Sequence, residues 1–497
     1  MARNYIIVDL GASNGRVIVA SYEKAKFDFD IVHRFDNIPV FVNEGEYCWD
    51  ILRIFSDIKV GIRKSVEKYP DAVSIGIDTF GCDFGFIDTQ GRLLGNPTHY
   101  RDASQHEMAD KLHSILSEEE LFELSQGPCN RIMGIYKLFA QKERHAFEYE
   151  HGKHLLMIAD MLNFLLTGRV TNEFCNATMT LLVNQKKRCW EEKICDKLGL
   201  RKDIFTPLTE PGTNIGAIRD SICEELGIRP IDVVVPATHD TASAVAGIPV
   251  TQPNKNWAFV SLGTWALAGI EMDEPFTDQR VVPLEFGNEG GVDGKSMLLK
   301  NINGLWVIQR CRQRWNEEAG HEVDWDDITK AANEAREITS VFDVDAPEFT
   351  TFQPDMPKVI REYCKKTGQD VPETMGEVSK CVYLSLAMKI HACMKNVYRI
   401  IGTDMELLHL LGGGTQNKLL CQWISNATGV PIIAGPTETT SVGNLMFQLI
   451  ADHQIASVEE GRALCAKSSQ LYTCEPDGNQ EYWNGIYEEY LKIVKWK

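Results

Sequence analysis

Apolar and polar positions alternate between two periods along this chain. Tyr5-Ile6-Ile7-Val8-Asp9 and Arg16-Val17-Ile18-Val19-Ala20 are short β-branched runs on either side of the small-residue stretch Gly11 to Gly15. That pattern predicts a strand, a tight turn and a second strand. Ile51, Ile54, Ile58 and Ile62 then recur at helical spacing and predict a helix over Asp50 to Glu67. Val73 to Ile77 reads as a buried strand running into the turn Asp78-Thr79-Phe80-Gly81-Cys82-Asp83. Phe84 to Ile87 reads as the next strand, ended by Asp88-Thr89-Gln90-Gly91. Several helices are expected between Ser104 and Leu200, among them an amphipathic helix over Leu155 to Leu166. Val233 to Pro236 predicts a strand that leads into Thr238-His239-Asp240-Thr241 and a helix of small residues, Ala242 to Gly247.

The polar, proline-bearing stretch Pro249 to Asn254 reads as a connector. After it, Trp257 to Gly269 again reads as strand, Gly-Thr turn and strand, so the second half opens like the first. A long helix is expected over Glu377 to Ile401, with apolar positions at Val382, Leu386, Ile390, Cys393 and Val397. The strand Leu407 to Leu411 runs into Gly412-Gly413-Gly414, a helix follows, and Pro431 to Ala434 reads as a further strand. Strands followed by helices, twice over, predict an α/β protein of two domains with a cleft between them. The expected domains are residues 1–247 and 248–497.

Length agrees, since 497 residues exceed one ordinary core. The net charge of -19 and the absence of a long Lys/Arg run argue against nucleic acid as a partner. Asp160 and Asn163 interrupt the most apolar stretch, which argues against a membrane span. The 14 cysteines include no Cys-x-x-Cys pair, and Cys189 and Cys195 lack zinc-ligand spacing. Reduced, buried thiols in a cytoplasmic protein are the expectation.

Four stretches carry candidate chemistry. The small-residue turn Gly11 to Gly15 lets backbone N–H groups approach phosphate oxygens, and Asp9 at the end of its strand suits a hydrated Mg²⁺. An ordinary hairpin accounts for that turn equally well. Gly412-Gly413-Gly414 gives the backbone room against an anionic ligand ahead of a helix. Asp240, between a buried strand and a helix, has the residue type and place of a base that accepts a hydroxyl proton in phosphoryl transfer. A helix cap is the alternative reading of Asp240. Asp83, at the end of the turn after Val73 to Ile77, is a candidate acceptor for hydroxyl groups. A Walker A loop is absent, because Glu289 stands where Gly290 to Ser296 would need a glycine.

Taken together these stretches resemble the actin- and hexokinase-like ATPases, and within them the FGGY carbohydrate kinases. The likeness rests on Val8 to Ser13 with Gly15-Arg16, Asp78 to Asp83, Gly95-Asn96-Pro97, Tyr100-Arg101-Asp102 and Thr238 to Val245. It continues through Ser261 to Trp265, Asn288 to Gly291, Lys300 to Ile302, Gly304 to Trp306, Gly412 to Asn417, Ala434 to Pro436, Glu438 and Gly443-Asn444. The resemblance implies a ribonuclease H-like fold in each half and transfer of phosphate from ATP to a sugar, with Mg²⁺. It implies that Asp240 is the general base and that Gly81, His239, Thr241 and Asn301 contact sugar. It places Ala12, Ser13, Asn14, Gly15, Arg16, Thr264, Gln309, Gly412, Gly413 and Gly414 against ATP, and Asp9 on the metal side. The implied substrate is a 6-deoxy-L-ketohexose phosphorylated at O1, L-rhamnulose or else L-fuculose. Phe80, Cys82 and Gly127 to Leu138 depart from the pattern of kinases of such sugars. A sugar- and ATP-binding regulator is the reading of another class, and it calls for a basic DNA-binding module that this acidic chain lacks.

Overall fold

The computed structural model describes residues 2–43 and 46–494. The chain forms two compact units. The first comprises Met1–Thr251, Glu271–Leu298 and Thr439–Ser468, and the second Gln252–Ile270, Leu299–Glu438 and Ser469–Lys497.

In the first unit a six-stranded mixed sheet runs in the order Thr213–Ala217, Asp232–Val235, Ser74–Thr79, Arg3–Leu10, Asn14–Glu23, Lys26–Asp36. Its middle is parallel. Arg3–Leu10 pairs parallel with Ser74–Thr79, which pairs parallel with Asp232–Val235. From Asn4 to Leu10 every residue is buried, as a strand covered on both faces requires. One cover is the helix Ile51–Lys68, with Asp50 accepting from Arg53 N at 3.3 Å as its cap. Its isoleucines at 51, 54, 58 and 62 are fully buried beside Val17, Ile75 and Ile77. Gly61 on that helix faces Val17 so closely that any larger residue would collide with it. Another cover is the helix Thr439–Ala451, far along the chain, whose Gln448 donates to Ile6 O at 3.0 Å.

The expected helix over Leu155 to Leu166 is in fact a strand, His154–Met157, followed by a helix, Ile158–Thr167. The strand pairs antiparallel with Phe84–Ile87, Phe84 opposite Met157. Apolar periodicity cannot separate a buried strand from the helix that continues it, and pairing with a distant strand decides the outcome.

The second unit repeats the motif. Trp257–Leu262 pairs antiparallel with Trp265–Met272 on one side and parallel with Leu407–Leu411 on the other. Ile432–Ala434 and Tyr472–Cys474 extend the sheet. The long helix Met375–Ile401 starts at Thr374, whose hydroxyl accepts from Glu377 N at 3.2 Å, and stops at Gly402 in the left-handed conformation. Among the described residues no helix is long and apolar enough to cross a membrane.

Candidate functional site

The polar centre of the first unit lies at the ends of its parallel strands, where ligands of open α/β sheets are commonly held. Asp9 and Asp78 are register partners on adjacent strands, so both carboxyls lie on one side of the sheet. Arg16, opposite Asp9 on the hairpin, forms an ion pair with it. Asp78 accepts from Asn444 Nδ2 at 2.6 Å through one oxygen, and its other oxygen has no hydrogen-bond partner among the described residues. Burial, then the charge of Asp9, push the Asp78 carboxyl well above its ordinary range.

Asp240 is the first residue of the helix Asp240–Ala246, and the capping position belongs to His239, which makes no side-chain cap bond. Asp240 is therefore not an N-cap. Its side chain keeps 34% of its surface, so one side is open while the rest is enclosed by protein. Burial, with Asp9 adding to it, raises its pKa to about 7, against a small opposing effect of Thr241. The Thr241 hydroxyl donates to Asp240 Oδ1 at 3.3 Å. His239 Nε2 stands 3.5 Å from Asp240 Oδ1, and His239 Nδ1 stands 3.4 Å from Glu289 Oε2. Burial lowers the His239 pKa and keeps the ring neutral, while Glu289 pulls the other way.

The loop that carries His239 and Asp240 is anchored from below. Thr238 donates to Glu173 Oε2 through its N–H at 3.0 Å and its hydroxyl at 2.9 Å, and Thr238 O accepts from Thr79 N at 2.8 Å. Glu173 also caps the helix Phe174–Thr178 through Cys175 N and Asn176 N. Gly81 lies against Met179 and the His239 ring, where a Cβ would be crowded by both. Phe80 is buried and stacks on Trp49 with centroids 4.3 Å apart.

Asp83 differs from its expected role. Its side chain is completely buried and pairs with Lys137, itself 1% exposed. Trp49 Nε1 donates to it at 2.5 Å and Tyr100 N at 3.0 Å, and Lys137 also donates to Thr98 O at 2.7 Å. A carboxylate so fully engaged is a structural anchor of the loop rather than a free acceptor for sugar hydroxyls.

The turn Ala12 to Arg16 is held by Asn37, whose N–H donates to Ser13 O at 3.0 Å and whose side chain donates to Gly11 O at 2.8 Å. Ser13 and Asn14 are exposed, and Gly15 sits against the Phe35 ring with no room for a side chain. A cavity of about 440 Å³ opens beside Ala12 and Ser13, walled by Asn37, Tyr47, His99 and Tyr100.

In the second unit the turn after Trp257–Leu262 is fixed by its backbone. Leu305 N donates to Gly263 O at 2.8 Å, and Gly304 N and Trp306 N to Thr264 O at 3.1 and 3.2 Å. The exposed Thr264 hydroxyl donates to Gln309 Oε1 at 3.1 Å. Gly412 and Gly414 press on Leu262 at the same place, and Gly413 is open to space. Gly412 has φ 80 and ψ -176, a conformation that essentially only glycine adopts. Thr264, Gln309 and Gly412 to Gly414 are thus neighbours. Asn301 lies half-buried on the strand Ser296–Asn303.

Sequence reasoning gave no role to Asp78, Glu173, Lys137, Glu289 or Asn444. Asp78, Glu289 and Asn444 lie inside the stretches that carry the resemblance, so a signal was present. Glu173 ends the short strand Asn172–Glu173, and Lys137 stands in the helix Gly134–Glu143, within a stretch marked only as a departure from the pattern; neither residue type announces its partner locally.

Comparison with known proteins accounts for this architecture. The fold matches solved structures at 15% identity. Gluconate kinase from Lactobacillus acidophilus has a TM-score of 0.81 over 99% of this chain and 98% of its own. Plasmodium falciparum glycerol kinase with ADP has a TM-score of 0.76 over 98% and 97%. Residues 4–247 match the N-terminal domain, and residues 258–451 the C-terminal domain, of the FGGY family of carbohydrate kinases, and the chain belongs to that family. It is similar to the rhamnulokinase of Oceanobacillus iheyensis, 36% identical over 94% of this chain and 97% of the relative. It is also similar to the rhamnulokinase of Bacteroides thetaiotaomicron, 33% identical over the full length of both.

Proposed function

We propose that this kinase transfers the γ-phosphoryl group of ATP to O1 of L-rhamnulose, a 6-deoxy-L-ketohexose, with Asp240 as general base. The observation that carries the reading is the Asp240 carboxyl, one side open and its pKa raised to about 7 by burial. A base is most effective when its pKa lies near the working pH. As O1 attacks the γ-phosphorus, Asp240 takes the O1 proton, the bond from the γ-phosphorus to the bridging oxygen breaks, and ADP departs with that oxygen. Gly81, His239, Thr241 and Asn301 contact the sugar. The turn Ala12 to Arg16, with Thr264, Gln309 and Gly412 to Gly414, contacts ATP through N–H groups and hydroxyls.

The first unit also suits the metal that such transfer uses. Among the described residues no three His, Cys, Asp or Glu side chains converge as a closed metal cage. A hydrated Mg²⁺, which is commonly bound through one or two carboxylates plus phosphates, would instead be held by Asp9. The bare oxygen of Asp78 beside Asp9 is the mark of a site short of positive charge. When bound, the ion supplies charge neutralisation on the phosphates.

The names of the relatives support L-rhamnulose. The test is kcat/KM for L-rhamnulose, L-fuculose and L-ribulose at fixed Mg-ATP, read as ADP formation. L-Rhamnulose is expected to be preferred. Preference for L-fuculose would move the substrate, and activity only on a non-ketose polyol would overturn the substrate class.

A further inference from the structure

We propose that Glu289 reads the sugar: its carboxylate accepts a hydrogen bond from a hydroxyl of the acceptor, next to His239. The inference rests on the kinase reading above and deepens it.

Glu289 is 1% exposed, yet neither of its carboxyl oxygens has a hydrogen-bond partner among the described residues. Its neighbours are the opposite. Asn288 N and Nδ2 both donate to Gln126 O, at 2.9 and 2.7 Å, and Asn288 Oδ1 accepts from Phe276 N at 2.7 Å. Gly290 N donates to Thr178 Oγ1 at 2.9 Å, and Asn288 O accepts from Gln185 Nε2 at 2.6 Å. The segment is therefore pinned on both sides of a side chain that is left bare.

Other buried acids of this unit show what a structural carboxylate does. Glu173 collects Cys175 N, Asn176 N and Thr238. Glu271 pairs with Arg462 and Lys295. Asp83 pairs with Lys137, Trp49 and Tyr100 N. A buried polar group without a partner is costly, and folds normally avoid it. His239 Nδ1 stands 3.4 Å from Glu289 Oε2, and the pair does not reach hydrogen-bonding geometry. What the carboxylate lacks is a donor, and a sugar hydroxyl is a donor of the right size. Gly81 lies against Cδ2 of the His239 ring, so close that a side chain there would crowd it. The far nitrogen of the ring stands by Asp240, so a sugar hydroxyl at Glu289 is held close to the proposed base.

Two measurements separate this from the reading it rests on. Turnover of the ketose panel by the wild type decides the kinase reading by itself. Sugar affinity, measured by calorimetry without ATP, decides Glu289. Glu289→Gln keeps the shape and removes the charge, and it is expected to weaken sugar binding about 10- to 100-fold with KM for ATP unchanged. The loss should belong to one hydroxyl: among monodeoxy analogues of the preferred ketose, one should bind wild type and variant alike. Unchanged sugar affinity, or an equal loss on every analogue, would overturn the proposal. A displaced pH profile with unchanged sugar affinity would also overturn it, since Glu289 would then act through His239. If Glu289→Gln does not fold, Glu289→Asp keeps the charge, withdraws it by one methylene, and is judged by the same analogue comparison.

Discussion

The two units hold their candidate sites by different means. In the first, Asp9, Asp78, Asp240, Glu289 and His239 crowd the strand ends, and buried ion pairs and hydrogen bonds hold the surrounding loops. In the second, Gly412 and Gly414 press on Leu262 next to the Thr264–Gln309 pair, and backbone hydrogen bonds fix the turn at Gly263-Thr264. The first arrangement depends on charge and therefore on pH. The second depends on φ and ψ and on the absence of Cβ atoms. Phosphate is well served by backbone N–H groups, which need no titratable group. A neutral hydroxyl that must lose a proton needs a carboxylate whose affinity for protons has been raised.

The largest expected break in this contrast is Asp240→Asn. The amide keeps the shape and cannot take a proton, so kcat should fall by roughly two to four orders of magnitude. ATP binding, measured by nucleotide titration, should be nearly unchanged. Near-normal turnover would remove Asp240 from the chemistry.

Next in size is the anchor of the loop. Lys137→Met leaves Asp83 buried without its cation, since both side chains are at most 1% exposed. Breaking such a pair costs roughly 3–5 kcal/mol. Urea denaturation should show that loss, and an unchanged midpoint would mean that Trp49 and Tyr100 alone suffice for Asp83. On the second unit the matching break is Gly412→Ala. Its backbone conformation costs a residue with a Cβ roughly 1–3 kcal/mol, and Leu262 O lies only 3.1 Å from where that Cβ would stand. KM for ATP should rise while calorimetric sugar affinity stays put. A change in sugar affinity alone would reverse the assignment of the two regions.

Local sequence made the second region more legible than the first. The hairpins around Gly11 to Gly15 and Gly263-Thr264 are written in β-branched runs and turn residues, and a glycine triplet announces its own backbone freedom. The first region is assembled from distant stretches. Asp83 looked like a free acid because its partner Lys137 lies 54 residues away in a helix with no distinguishing pattern. Glu289 and Asn444 stand in the second half of the sequence, yet both belong to the first unit, where Asn444 reaches Asp78 across 366 residues. No periodicity encodes such a meeting. Leu155 to Leu166 went wrong for the same reason, because the partner strand Phe84–Ile87 converts its first residues to strand.

The smallest expected effects are in pH, and their signs sharpen the contrast. The base acts when deprotonated, so kcat/KM should rise with pH through about 7 and then level off. Stability should move the other way. Burial raises the Asp240 pKa in the folded protein above its ordinary value of 3.8, so the fold favours the protonated acid. That favour is complete below the unfolded pKa and is lost as pH rises through about 7. Asparagine carries no charge at any pH. Asp240→Asn should therefore match the wild-type Tm near pH 4 and exceed it at pH 8. The gain should be small, roughly 1–3 °C, because a third of the side chain is open to solvent and screening. The two profiles, rising activity and falling relative stability, should share one midpoint if one carboxyl governs both. Midpoints separated by more than about one pH unit would assign the kinetic titration to another group of the cluster, with Asp78 and Glu289 the nearest acids also pushed upward by burial.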